Sequence, residues 1–194
     1  MDYAVGRKGW LVAATLFVLL TIILLGMGRP PICECGTVKF WHGVVESSEN
    51  SQHLADWYSF SHVIHGFIFY GLARWLIPGK PAWIALAAAI FVEAAWEISE
   101  NTPIVINRYR EATMAFGYAG DSAINSIADT AWMVIGWLGA RAMKWWQTVA
   151  LAIAFELFTL WTIRDNLTLN VLMLVSPVEA IKDWQAGNTA ASSS

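Results

Sequence analysis

Charge is scarce in this chain: Asp, Glu, Lys and Arg make up only 14% of its 194 residues, while 57% are hydrophobic. A soluble domain has roughly a quarter of its residues charged, so the composition excludes an ordinary water-soluble protein and calls for lipid as solvent. Clustered positive charge is missing as well. The twelve Lys and Arg are dispersed and the net charge is −3, which leaves no basic stripe for a nucleic-acid partner. No small-x-small cleavage pattern follows the N-terminal apolar run, where Gly28, Arg29, Pro30 and Pro31 stand instead. That run, preceded by Arg7 and Lys8, is expected to stay as an anchor and not to leave as a secretory signal. Nor is there length for a second domain once about five spans of about 20 residues are placed.

What is present is a set of five apolar stretches, at 10–27, 57–77, 82–100, 121–143 and 145–163. They predict an all-α fold: a polytopic membrane helix bundle of about five transmembrane helices, one domain over residues 1–186, with a disordered tail at 187–194. Pro78, Gly79, Lys80 and Pro81 predict a tight turn that makes the second and third spans an antiparallel hairpin. The stretch 166–178, NLTLNVLMLVSPV, is apolar but too short to cross, and reads as an interfacial or re-entrant C-terminal segment. Twelve Trp suit a chain with many interfacial anchors.

Basic residues set the expected orientation. With the N-terminus in the cytoplasm, the inner segments hold Arg7, Lys8, Arg74, Lys80, Arg141 and Lys144, and the outer ones Arg29, Lys39, Arg108, Arg110, Arg164 and Lys182. The two sets are equal in size, but the inner one sits in very short connections near helix ends. Density therefore favours a cytoplasmic N-terminus and a periplasmic C-terminus.

In that orientation the ionisable residues within the spans gather in the outer half. His62 and His65 lie in the first turns of the second span, Glu93, Glu97 and Glu100 in the last turns of the third, and Asp121, Asn125 and Asp129 at the start of the fourth. At about 1.5 Å rise per residue, three helices offer acids or ligands at one depth. Ionisable groups within a membrane are costly and mark a functional site by default. Glu93, Glu97, Asp121 and Asp129 are the candidate catalytic acids and bases. His62 and His65, spaced i, i+3, are the candidate metal ligands together with Glu97 and Asp129, a donor set that suits zinc, manganese or iron. Asn125, Arg108, Arg110, Arg164 and Asp165 are supporting polar residues, with Arg164 expected opposite Asp121. A salt-bridged seam that joins helices and does no chemistry is the competing account of the same residues. Cys33 and Cys35 form a C-x-C in the first outer loop, for which redox, metal or a strained bridge all stand open. His42 and His53 in the same loop show no recognisable ligand pattern.

The segments SHVIHGF (61–67), EAAWEISENTPIVINRYR (93–110), GYAGDSAINSIADT (117–130) and RDNLTLN (164–170) resemble an uncharacterised family of alphaproteobacterial inner-membrane proteins. More distantly, the glutamate-bearing helix followed by an Asp-Asn-Asp helix is similar to the VanZ-like superfamily. The resemblance implies a bacterial inner-membrane location and a helical fold, not a reaction. A signal-peptidase-II-like reading is set aside, because 125–129 is one residue longer than that family's Asn-x-Ala-Asp element and no Gly-Asn-x-x-Asp-Arg partner exists.

Two function classes follow. One is a membrane-embedded hydrolase or transferase acting on a lipid-linked or envelope substrate, since paired carboxylates in a dry site have their pKa values pushed apart. The other is a non-catalytic membrane protein that binds an envelope ligand or supports assembly. Transport of protons or solutes is disfavoured because the polar groups stop halfway.

Overall fold

The computed structural model describes residues 4–113 and 118–187; the expected tail lies, beyond Gly187, outside them. The described residues form eight α-helices and no strand: α1 (Gly6–Gly26), α2 (Ser59–Leu76), α3 (Ala82–Glu100), α4 (Pro103–Ala112), α5 (Ala123–Ala142), α6 (Trp145–Ile163), α7 (Leu167–Val175) and α8 (Glu179–Ala186). Local chemistry sets several boundaries. The Ser122 side chain accepts from the Asn125 N–H to cap α5, Thr102 caps α4 with Pro103 as its first residue, and Asn166 caps α7, each satisfying a donor that a helix start leaves free. Gly79, at φ +82°, turns the chain between α2 and α3 where a side chain would be strained.

Three helices, α1, α3 and α6, are long and apolar enough to cross a membrane, against the five expected. At 18 and 20 residues, α2 and α5 have nearly the same length. They fall short in hydropathy because α2 includes Ser59, Ser61, His62, His65 and Arg74, and α5 includes Asn125, Ser126, Asp129, Thr130 and Arg141. The 166–178 stretch resolves into α7, its Asn166 cap and the short connection that leads to α8. Helix α4 was not foreseen, since its sequence has no long apolar stripe.

The tightest crossing is between α2 and α5. A Cβ added at Gly66 would sit 2.1 Å from the Met133 carbonyl oxygen, and one at Gly136 would sit 2.1 Å from the Val63 carbonyl oxygen. Only glycine permits this approach, in the manner of small-residue contacts between membrane helices. Below the polar residues, Leu86, Ile90, Met133 and Trp137 are fully buried with Val5 and Ala13 of the N-terminal region. That apolar plug closes the other half of the bundle.

Outward, the surface is apolar. Val149, Ile153, Leu157 and Phe158 of α6 are exposed, as are Leu11, Val18, Ile22 and Leu25 of α1. Exposed tryptophans stand at both ends of the bundle: Trp75 (76%), Trp145 (79%) and Trp146 at one, and Trp161 (83%) and Trp184 at the other. Two aromatic belts around an apolar band are what a bilayer's interfaces select.

Candidate functional site

Helix α2 places His62 and His65 one turn apart, and both turn Nδ1 toward Glu93 of α3. The His62 contact to Glu93 Oε1 is 2.6 Å, and His65 meets the two Glu93 oxygens at 3.2 and 3.0 Å. Glu93 is fully buried. One carboxylate thus orients two imidazoles and leaves both Nε2 atoms for other partners. The Nε2 of His62 faces Asp129 Oδ2 of α5 at 3.8 Å, and Ser59 Oγ reaches Asp129 Oδ1 at 3.5 Å.

Glu97, one turn after Glu93, is 1% exposed and lies 3.6 Å from His62 Nδ1. Both of its carboxylate oxygens are buried without a hydrogen-bond partner. Ligand atoms of His62, Glu97 and Asp129 lie within 4.8 Å of one another, as do those of His62, His65 and Glu93, and of Glu97, Glu100 and Asp121. Each of these triads could hold a metal ion.

Asp121 is built differently. Asn101 Nδ2 donates to its Oδ2 and Tyr118 OH to its Oδ1, each at 2.8 Å, and its own N–H donates to Asn101 Oδ1 at 2.8 Å. Its acceptors are filled, whereas those of Glu97 are empty. Asn125 serves the loop above the site, its Nδ2 donating to the His53 carbonyl at 2.8 Å. A cavity of about 50 Å³ opens beside the cluster, lined among others by His62, His65, Glu100, Tyr109, Asp121 and Asp129.

The arginines stand elsewhere than the sequence suggested. Arg108 donates to the Leu174 carbonyl and Arg110 to that of Tyr118. Arg164 donates to the Trp184 carbonyl and lies over that ring, so the expected pairing with Asp121 is not made. The cation at Asp121 is Arg29, whose Nε donates to the Asp121 carbonyl at 2.8 Å. Among the described residues no arginine side chain is ion-paired to a carboxylate. The reason is their place in the fold: Arg108 and Arg110 are carried by α4, and Arg164 stands at the C-terminal end of α6, where each turns to a backbone carbonyl.

Asp165 ties the end of α6 to the start of α2 and to α8. Tyr58 OH donates to it at 3.3 Å, Gln185 Nε2 at 3.2 Å and the Asn166 N–H at 2.9 Å. Burial outweighs these donors and raises its pKa to about 6. Burial likewise raises Asp56, and pushes the phenols of Tyr109 and Tyr118 well above their ordinary value.

Residues 24–187 match the family described as "Protein of unknown function (DUF2585)". The chain belongs to the DUF2585 family. A UPF0314 protein of Sphingopyxis alaskensis is 69% identical over 183 residues, 94% of this chain and 97% of that one. Another, of Novosphingobium aromaticivorans, is 58% identical over 187 residues, covering 93% and 94%. UPF0314 protein Atu8092 of Agrobacterium fabrum is 57% identical over 174 residues, covering 90% and 88%. No solved structure matches the chain.

Several residues of this family member's site escaped the sequence reading. Asn101 and Tyr118 lie in the segments that carry the family resemblance but had no role assigned, and Tyr58 and Gln52 carried no motif, yet the first two satisfy Asp121, the third reaches Asp165, and Gln52 Nε2 donates to the Gly120 carbonyl at 2.9 Å. Polar residues in connections give no periodic signal. The usable clue was density: the loop between α1 and α2 packs His42, Glu49, His53 and Asp56 into fifteen positions. Glu49 there bonds the Lys39 ammonium and the His53 ring, and these hold its pKa down at about 2.

Proposed function

We propose that the chain is a multi-pass protein of the bacterial inner membrane, crossing with α1, α2, α3, α5 and α6. It binds a divalent metal ion at His62, Glu97 and Asp129, and acts as a hydrolase or transferase on a lipid-linked or envelope substrate. Glu97 carries this reading. A buried carboxylate with two empty oxygens costs several kcal/mol unless a proton or cation takes up its charge. A proton would remove the charge but leave both oxygens without a partner, whereas a metal ion satisfies the oxygens directly.

The histidines fit that role. A ligating imidazole commonly gives its other nitrogen to a carboxylate that fixes its orientation, which is what Glu93 does for His62 and His65. Zinc, manganese and iron all accept such nitrogen and oxygen donors. A bound ion of this kind polarises a carbonyl or phosphoryl oxygen and activates water. An apolar cavity of about 440 Å³, lined by Phe60, Val63, Phe67, Trp132 and Phe155 among others, offers room for an acyl or isoprenoid chain close to Asp129. Asp121, its acceptors already filled, favours the structural seam for that part of the cluster.

The test is metal analysis of the purified, disulfide-form protein. One equivalent of zinc or manganese is expected, lost in His62→Ala and Glu97→Gln variants that still fold and accumulate. Metal-free protein, with Glu97→Gln as stable as wild type, would reduce the cluster to a seam.

A further inference from the structure

The loop between α1 and α2 assembles a second donor set, outside the buried cluster. Cys33 and Cys35 are disulfide-bonded, and their sulfurs, a Glu49 oxygen and a His53 ring nitrogen all lie within 4.8 Å of one another. None of the four sits on a helix, yet the segments are held. His42 N–H donates to the Ala55 carbonyl and Leu54 N–H to the Lys39 carbonyl, while Ser122 N–H donates to the Ser51 carbonyl. Asn125 holds the His53 carbonyl from α5. Cys33 and His53 are buried and Cys35 is exposed, so solutes reach the set from one side. The His42 ring lies 5.3 Å from that of His53, and its buried Nε2 has no hydrogen-bond partner.

We propose that this loop is a redox-gated metal site, which takes up a zinc-class ion on Cys33, Cys35, His53 and Glu49 when the disulfide is reduced and releases it when the disulfide forms. Two sulfurs, a nitrogen and an oxygen make four donors, the number a tetrahedral zinc site uses, and thiolate and imidazole are its preferred kinds. Reduction needs an external thiol pair, which supplies two electrons and two protons: the S–S bond breaks, two Cys S–H groups form, and the donor becomes a disulfide. Binding then releases both thiol protons as the metal–sulfur bonds form. Oxidation by a disulfide-class acceptor removes two electrons, re-forms the S–S bond and leaves the ion without its sulfur ligands.

The neighbours set the terms of binding. His53 Nδ1 accepts from the Lys39 N–H at 3.3 Å, and its Nε2 faces Glu49 at 2.9 Å. Ligation through Nε2 moves the ring proton to Nδ1 and gives up the long Lys39 contact. The Lys39 ammonium, bonded to Glu49, competes with the metal for that carboxylate.

Full-length protein in detergent, reduced with a phosphine and freed of it, is titrated with zinc and, separately, with cobalt(II). The reduced protein is expected to take one equivalent of zinc more than the disulfide form, and cobalt to give a thiolate-to-metal charge-transfer band. The double variant Cys33→Ser, Cys35→Ser loses both signals, as does reduced wild type alkylated at its thiols, which serves if the variant misfolds. His53→Gln weakens binding at least about tenfold, whereas Lys39→Met tightens it. Equal uptake by reduced and oxidised protein, no sulfur band, or a band that survives alkylation overturns the proposal. The cluster around His62 has no sulfur and gives no such band, so the two sites fail separately.

Discussion

Replacing Asp165 by Asn removes a titrating group whose environment the structure defines closely. The carboxyl is 8% exposed, and its pKa rises from 3.8 to about 6 chiefly because burial disfavours the anion. The folded state therefore holds this proton more tightly than the unfolded chain does. Stability is greatest below the unfolded value and declines as pH rises through the window from 3.8 to about 6, after which the cost is fully present. At about 1.4 kcal/mol per tenfold change in proton affinity, the cost at neutral pH is about 3 kcal/mol. Asn has the same shape and keeps an oxygen for the Asn166 N–H and Gln185, but does not ionise. The assay is chemical denaturation in detergent across pH 4 to 8, about the range in which a carboxyl of this kind titrates, with the wild-type curve subtracted from that of the variant. The difference should climb with pH by about 3 kcal/mol and level off above the folded pKa. A flat difference, or one that falls with pH, would refute the argument that burial outweighs the hydrogen-bond donors around Asp165.

Gly66→Ala or Gly136→Ala drives a methyl into the facing backbone of the α2 and α5 crossing, so folded yield should collapse at a cost of about 3 kcal/mol or more; a variant of wild-type thermal stability would show that the crossing is looser than described. Asn101→Leu strips two hydrogen bonds from Asp121 and leaves its buried carboxyl short of a donor, for a loss of about 2 kcal/mol or more in denaturation midpoints, while Asn101→Asp should not rescue it. A reporter active only in the cytoplasm, fused after Ser194, should be silent if the C-terminus is periplasmic; strong signal there would invert the proposed orientation.

Apolar runs and their punctuation were legible because they are local. The runs around α1, α3 and α6, the Pro78–Pro81 turn and the i, i+4 carboxylates of α3 follow from periodicity and chain stiffness alone. The same logic counted α2 and α5 without weighing how far polar residues dilute their hydropathy, and it passed over α4, a helix held by its Thr102 cap and by packing. Which carboxylate is satisfied and which is not was beyond sequence. Glu97 and Asp121 look alike in the chain, but the fold brings Asn101 to Asp121 beside the local Tyr118, and brings no hydrogen-bond donor to the Glu97 oxygens. The arginines were misjudged for the same reason, since a charge near a site in sequence can be turned away by the next helix. Cys33, Glu49 and His53 are separated by up to twenty positions and share no period, so only the backbone pairing of the loop could make them neighbours. Sequence thus determined what had to be buried and where helices run, because those depend on composition over one or two turns. Tertiary structure decided which buried groups meet, because that depends on glycine-permitted crossings and loop anchors many residues apart.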